Sequence, residues 1–156
     1  MDPLNHIQCN IKSKGNTQME RTAKAHWLGD FKDGKGTLTT ESGVLNETAY
    51  SYKTRFEEGV KGTNPEELLA AAHAGCFTMQ VAAVLTKKGI NPKTLDTKAN
   101  VTLEGLSITK VHLSITGSIS GLNSAVFSDI VQDAAKHCLV SKILNIPVTC
   151  ESHLLT

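Results

Sequence analysis

From Thr22 onward, apolar and polar side chains alternate. Ala23, Ala25 and Trp27 fall on one face of an extended segment and Lys24 and His26 on the other, the period of two expected of a half-buried strand. Gly29-Asp30 and Asp33-Gly34 bracket a turn into Gly36-Thr37-Leu38-Thr39-Thr40, a second strand whose threonines suit a pleated surface. Residues 50–56 read as a third strand that places Arg55 at its end, ahead of a loose Glu57-Glu58-Gly59 loop. The period then changes. Asn64 is placed to cap a helix, Pro65 fits its first turn and Glu67 lies three residues after the cap. This helix is expected to run to about Lys88, where Gly89 stops it and Pro92 prevents its resumption. It would span roughly 35 Å. Residues 68–85 carry almost no charge on any face, and a helix that is apolar all round must be covered all round. One small sheet covers one side only, so a second copy of the same helix is the simplest cover, and the pattern predicts a homodimer with paired long helices at its centre.

Two further strands, residues 97–103 and 107–119, form a hairpin across Glu104-Gly105-Leu106. Val111, Leu113, Ile115 and Ile119 share the apolar face of the second, with Lys110, His112, Ser114 and Thr116 opposite. Ser124 is placed to cap a shorter amphipathic helix. In it Val126, Ile130, Ala134 and Cys138 recur at four-residue steps on the core side, while Asp129, Gln132, Asp133 and Lys136 face out. A last strand, residues 146–154, turns Val148, Cys150 and Leu154 inward, with Pro147 marking an edge or a strand start.

The chain has 156 residues, 40% of them apolar, enough for one core and too few for two. Residues 19–156 therefore read as a single domain, preceded by an unpatterned stretch, 1–18, with the look of a flexible leader or an added tail. Sixteen basic against fifteen acidic residues leave a net charge of +1, and no basic block exceeds Lys87-Lys88. Neither a nucleic-acid partner nor an anionic membrane partner is indicated. His73 and Gln80 interrupt the apolar run and no charged-then-apolar leader opens the chain, which leads to the expectation of a soluble, cytoplasmic protein. The four cysteines, Cys9, Cys76, Cys138 and Cys150, lie far apart, unlike a secreted disulfide scaffold, and suit a reducing compartment in which a retained pair is catalytic or metal-binding.

Cys76 is the candidate nucleophile. It lies mid-helix, in line with Ala72 and Met79, and Ala70, Ala71, Ala72, Ala74 and Gly75 leave space around its sulfur. Its own helix dipole acts only near the helix ends, so a cation is needed to favour the reactive thiolate. Arg55, close before the helix, is the best-placed one. Glu66 precedes Cys76 by ten residues, about 15 Å of helix rise, so the two cannot touch in one subunit. Between antiparallel paired helices they can, and Glu66 could then join an arginine–carboxylate pair beside the partner's Cys76.

The segment Lys61-Gly62-Thr63-Asn64-Pro65-Glu66-Glu67-Leu68-Leu69, continued by Ala70-Ala71-Ala72-His73-Ala74-Gly75-Cys76-Phe77, resembles the signature of the OsmC/Ohr family of osmotically inducible and organic hydroperoxide resistance proteins. Upstream, Ala25-His26-Trp27-Leu28-Gly29-Asp30, Thr40-Glu41-Ser42-Gly43-Val44-Leu45 and Thr54-Arg55-Phe56 resemble its OsmC branch. The likeness runs from about Thr22 to the C-terminus. It implies an α+β fold in which an intertwined homodimer wraps antiparallel sheets around two long central helices. It also implies a thiol peroxidase for organic hydroperoxides, with Cys76 the attacking thiol, Cys138 its disulfide partner, Arg55 and Glu66 the activating pair, an external dithiol as reductant, and no metal or organic cofactor. The family's usual proline after the second cysteine is replaced here by Leu139 in Cys138-Leu139-Val140-Ser141. Two competing readings are a metal site drawn from His73, Cys76, His137 and Cys138, and a non-catalytic stress or ligand-binding dimer with buried thiols. Adjacent His137 and Cys138 point apart on a helix, which weighs against the first.

Overall fold

Local chemistry fixes the start of each element in the computed structural model, which describes residues 18–155; Cys9 and most of the expected leader lie outside the described residues. Strands β1 (Ala23–Leu28), β2 (Lys35–Thr40) and β3 (Thr48–Ser51) form one antiparallel sheet in that order. The third strand is shorter than expected, because Ser51 turns the chain into a helix, α1 (Tyr52–Phe56). The Ser51 side chain accepts the Thr54 N–H, and Thr54 Oγ1 accepts the Ser51 N–H at 2.8 Å, a reciprocal cap that satisfies the free donors of a helix start. Arg55 is therefore on a helix and not at a strand end.

The long helix α2 spans Pro65–Lys87, close to the bounds read from its cap chemistry. Asn64 Oδ1 accepts the Glu67 N–H at 2.8 Å, and Pro65 opens the first turn. β4 (Thr94–Glu104) and β5 (Ser107–Ser118) then make the expected antiparallel hairpin, and β6 (Val148–Leu155) completes a second sheet, β4-β5-β6. Here the all-antiparallel expectation needs correcting: β6 runs parallel to β5, with Leu113 opposite Cys150. A parallel neighbour requires a long crossover, and α3 (Ser124–His137) with a further short helix, α4 (Leu139–Ile143), supplies it. The fold class remains α+β.

The core lies between this second sheet and the helices on one of its faces. Phe77, Val81 and Leu85 of α2, Val111, Leu113 and Ile115 of β5, and Phe127, Ile130, Val131 and Ala134 of α3 are all buried. Burying a side chain of this size contributes about 1.5–3 kcal/mol. Gly117 lets α3 approach, since a Cβ there would sit 2.8 Å from the Phe127 ring. Two expectations for α3 shift by one residue. Asn123 caps it in place of Ser124, and Phe127 takes the core position expected of Val126, which is 44% exposed.

Much apolar surface stays uncovered within the chain. Among the described residues β1, β2, β3 and α1 pack mainly on one another, and β1 is exposed along nearly its whole length. On α2 the buried positions His73, Phe77, Val81 and Leu85 form one stripe, while Ala71, Ala72, Gly75, Met79 and Ala83 are exposed. The phase of α3 is open to a direct test. Phe127→Ala should cost about 3–5 kcal/mol in chemical denaturation, and Val126→Ala should stay within about 0.5 kcal/mol; the reverse order would place the wrong face inward.

Candidate active site

Two pairs of side chains are brought together, by different parts of the fold. The first is held at the corner between β3 and α2. Thr63 N–H donates to Ala49 O at 2.9 Å, and Asn64 Nδ2 donates to Thr54 O at 3.2 Å. The start of α2 is thereby tied to both β3 and the middle of α1. Gly62 makes the approach possible: its φ is +139°, and a Cβ would lie 2.7 Å from Ala49 O. With the corner closed, Arg55 on the last turn of α1 meets Glu66 on the first turn of α2. Arg55 Nε and Nη2 donate to the same Glu66 oxygen at 2.9 and 2.5 Å. The carboxylate is only 12% exposed, so the charge-assisted bonds work in a partly desolvated setting.

The second pair is sulfur. Cys76 sits between the buried stripe of α2 and the exposed one, half-buried and packed on the core. It therefore faces an edge where full packing was expected, and Met79, placed beside it by spacing, is 74% exposed. Cys138 is fully buried and occupies the junction where α3 ends and α4 begins. Its thiol donates to Cys76 Sγ across 3.3 Å. Burial pushes the Cys76 thiol up, but the Val140 N–H, the Cys138 thiol and the Leu139 N–H together outweigh it, and Cys76 ionises below the ordinary cysteine range. Cys150, half-buried on β6, is shifted the other way by burial despite a hydrogen bond from Gln132.

All four residues expected from the sequence lie in these two pairs, and the action of the arginine on the thiol was expected between subunits, not within one. In this chain the groups acting on Cys76 are its α4 neighbours, and Arg55 is not among them. Glu66 and Cys76 are ten residues apart on one helix, about 15 Å along its axis. The Leu139 and Val140 amides were missed because a five-residue helix leaves no periodic signal. The metal alternative loses its ligands: buried His73 bonds to Ser141 Oγ at 2.8 Å, while exposed His137 turns back to Asp133 O. No group of three or more His, Cys, Asp or Glu side chains is placed to hold a metal ion among the described residues. A cavity of about 260 Å³ beside Gly36, Tyr50, Ser51 and Thr54 is lined by neither cysteine.

Residues 57–152 match the family model described as OsmC-like protein. The chain is 44% identical over 140 residues to peroxiredoxin OsmC of Escherichia coli (strain K12), covering 87% of this chain and 97% of that one. Among solved structures, an OsmC-like protein of unknown function from Vibrio cholerae superposes with a TM-score of 0.71 at 17% identity, covering 86% of this chain and 99% of that one. An organic hydroperoxide resistance protein OsmC from Legionella pneumophila gives 0.67 at 23% identity, covering 90% of this chain and all of the other.

Two outcomes follow from the thiol environments. At neutral pH iodoacetamide should modify Cys76 before Cys150, read by peptide mass; prior labelling of Cys150 would contradict the opposed shifts. Leu139→Pro fits the backbone already present, because Cys138 has φ −61° and ψ 126°, the conformation a following proline favours. It should remove one N–H donor from Cys76, so the pH midpoint of Cys76 alkylation should rise; an unchanged midpoint would show that the Leu139 amide does not act on the thiolate.

Proposed function

Because the chain belongs to the OsmC-like family, we propose that it is a thiol peroxidase that reduces organic hydroperoxides to alcohols through Cys76 and Cys138. The observation that carries this is the pair of free thiols 3.3 Å apart, one of them with its pKa lowered by its hydrogen-bond donors. Thiolate is the nucleophile, so a lowered thiol pKa raises the reactive fraction at neutral pH. The Cys76 thiolate attacks the distal oxygen of the hydroperoxide. An S–O bond forms, the O–O bond breaks, and the departing alkoxide takes a proton to leave as the alcohol. Sulfur has lost two electrons and stands as the sulfenic acid. Cys138, as thiolate, then attacks that sulfur; the S–S bond forms, the S–O bond breaks, and hydroxide leaves as water after taking a proton. An external dithiol returns two electrons by thiol–disulfide exchange. Exposed Met79 and Leu139 flank the sulfurs along the chain, and apolar surroundings favour an alkyl hydroperoxide over hydrogen peroxide.

The Arg55–Glu66 pair enters through a second copy of the chain. In a homodimer the exposed Ala72, Gly75 and Met79 stripe packs against its counterpart, since small side chains let helices approach closely. With the helices antiparallel, the first turn of one reaches the middle of the other, and Arg55 stands over the partner's sulfur. Its charge then stabilises the thiolate and the alkoxide leaving it, with Glu66 fixing the guanidinium plane.

One equivalent of an alkyl hydroperoxide should yield a Cys76–Cys138 bridge by mass spectrometry. Cys76→Ser should consume hydroperoxide only at the background rate; full activity in that variant would return the protein to the non-catalytic alternative. Arg55→Ala should lower kcat/KM about a hundredfold. Subunits of Arg55→Ala and Cys76→Ser, the first impaired and the second inactive alone, should recover activity when exchanged into mixed dimers, because one site then holds both residues. No recovery would place Arg55 and Cys76 in service within one chain.

A further inference from the structure

His73 is a costly choice for its position. It is fully buried in the stripe that continues through Phe77, Val81 and Leu85, where a leucine or phenylalanine would pack without polar atoms to satisfy. Its Nδ1 is buried and has no hydrogen-bond partner. Burial pushes its pKa down, so the ring is neutral and carries one N–H. A proton on Nδ1 would be an orphan donor inside the core, whereas a proton on Nε2 donates to Ser141 Oγ at 2.8 Å. What this residue gains over a hydrocarbon is that one directed bond.

The bond joins the two segments that carry the cysteines. His73 lies three residues before Cys76 on α2, and Ser141 lies three residues after Cys138 on α4. The segments run in opposite senses and meet at two rungs, sulfur to sulfur at 3.3 Å and imidazole to hydroxyl at 2.8 Å. Otherwise α4 rests on apolar packing, with Cys138 and Leu144 at its two ends seated on the core. It has five residues, none of them buried, and no side-chain cap; Leu139 and Ile143 are exposed, and Val140 is its apolar foot on the core. A helix that short has no stability of its own. Nor does the residue after Cys138 restrict its backbone, because leucine imposes no φ and ψ on the position before it.

We infer that the His73–Ser141 hydrogen bond is a latch that registers α4 on α2 and so holds Cys138 in attacking distance of Cys76. His73 and Ser141 are positioning residues. The inference deepens the peroxidase reading and rests on it for its use, since a resolving thiol must reach the oxidised sulfur before a second peroxide does. Closing the bridge takes the sulfurs from 3.3 Å to about 2.05 Å, a small movement if α4 stays in place and a slow search if it frays. The latch also holds Leu139 and Val140 near Cys76, whose pKa their amides lower.

Closure of the Cys76–Cys138 bridge in the full reduced chain can be timed with diamide, which oxidises dithiols without any hydroperoxide. Ser141→Ala should close about tenfold more slowly, and Ser141→Thr, which keeps the hydroxyl, should restore most of the rate. His73→Leu fills the same space with hydrocarbon; it should melt no lower than the parent yet close as slowly as Ser141→Ala, which separates position from bulk stability. Closure of Ser141→Ala or His73→Leu within twofold of the parental rate, or Ser141→Thr as slow as Ser141→Ala, would overturn the latch. Since diamide replaces the substrate, a chain that fails to consume hydroperoxides but shows these closure rates would refute the peroxidase reading alone.

Discussion

Helix α2 is the constraint from which the rest of the molecule follows. Twenty-three residues with hardly a charge between its ends cannot be left in water on every side, and the second sheet with α3 covers only the His73–Leu85 stripe. What remains is an exposed row of small side chains broken by Met79. The same helix carries Glu66 in its first turn and Cys76 near its middle, so whatever covers the uncovered row also decides what stands over the sulfur. Burial and chemistry are thus set by one surface. A fold that hid α2 within its own chain would also bury Cys76, which stays half-exposed beside that row.

Two agents can favour a thiolate at Cys76, and they differ in kind. The Cys138 thiol makes a short-range hydrogen bond to the sulfur, present in the single chain, and the Leu139 and Val140 amides nearby also favour its ionised form. A guanidinium acts as a full charge over several ångströms, and it gains strength as water leaves the site. The first keeps the thiol ready; the second, delivered by a partner, would also meet the negative charge that appears on the departing oxygen. Glu66 would be needed in that arrangement because a lone arginine in a partly buried seam swings freely, and two bonds to one carboxylate oxygen hold its plane.

Elements with a strong local cause were legible in the sequence. The Asn64-Pro65 start of α2 and the alternation through Val111, Leu113 and Ile115 led to bounds and faces close to those found. Where two local answers compete, tertiary packing chose. Val126 and Phe127 are neighbours, both apolar and about 100° apart on the helix, and the larger ring went inward. Residues 50–56 look strand-like, but Ser51 and Thr54, three apart, form the cap that bends them into α1; that spacing was the available signal. The parallel pairing of β6 could have been suspected from the helix lying between two strands. Of the site, Cys76, Arg55 and Glu66 could be singled out from residue type and position, whereas Cys138 read only as a core-facing thiol until the family resemblance paired it with Cys76. Their distances could not be read there, since the Cys76–Cys138 approach depends on where α4 lands, and α4 is too short to leave a pattern.

Leu139 ties these points together. An imino acid at that position would fix Cys138 through the covalent chain, at the loss of one amide donor. With leucine the donor is kept, and the conformation of Cys138 is the same one, φ −61° and ψ 126°, held now by packing and hydrogen bonds made after the chain has folded. Control of Cys138 therefore rests on a tertiary rule and not on a local steric one. A tertiary hold can loosen without unfolding the protein, so the segment bearing Cys138 gains a freedom that a stiffer junction would deny it. That freedom makes the polar contact between the two helices matter more here than it would beside a proline.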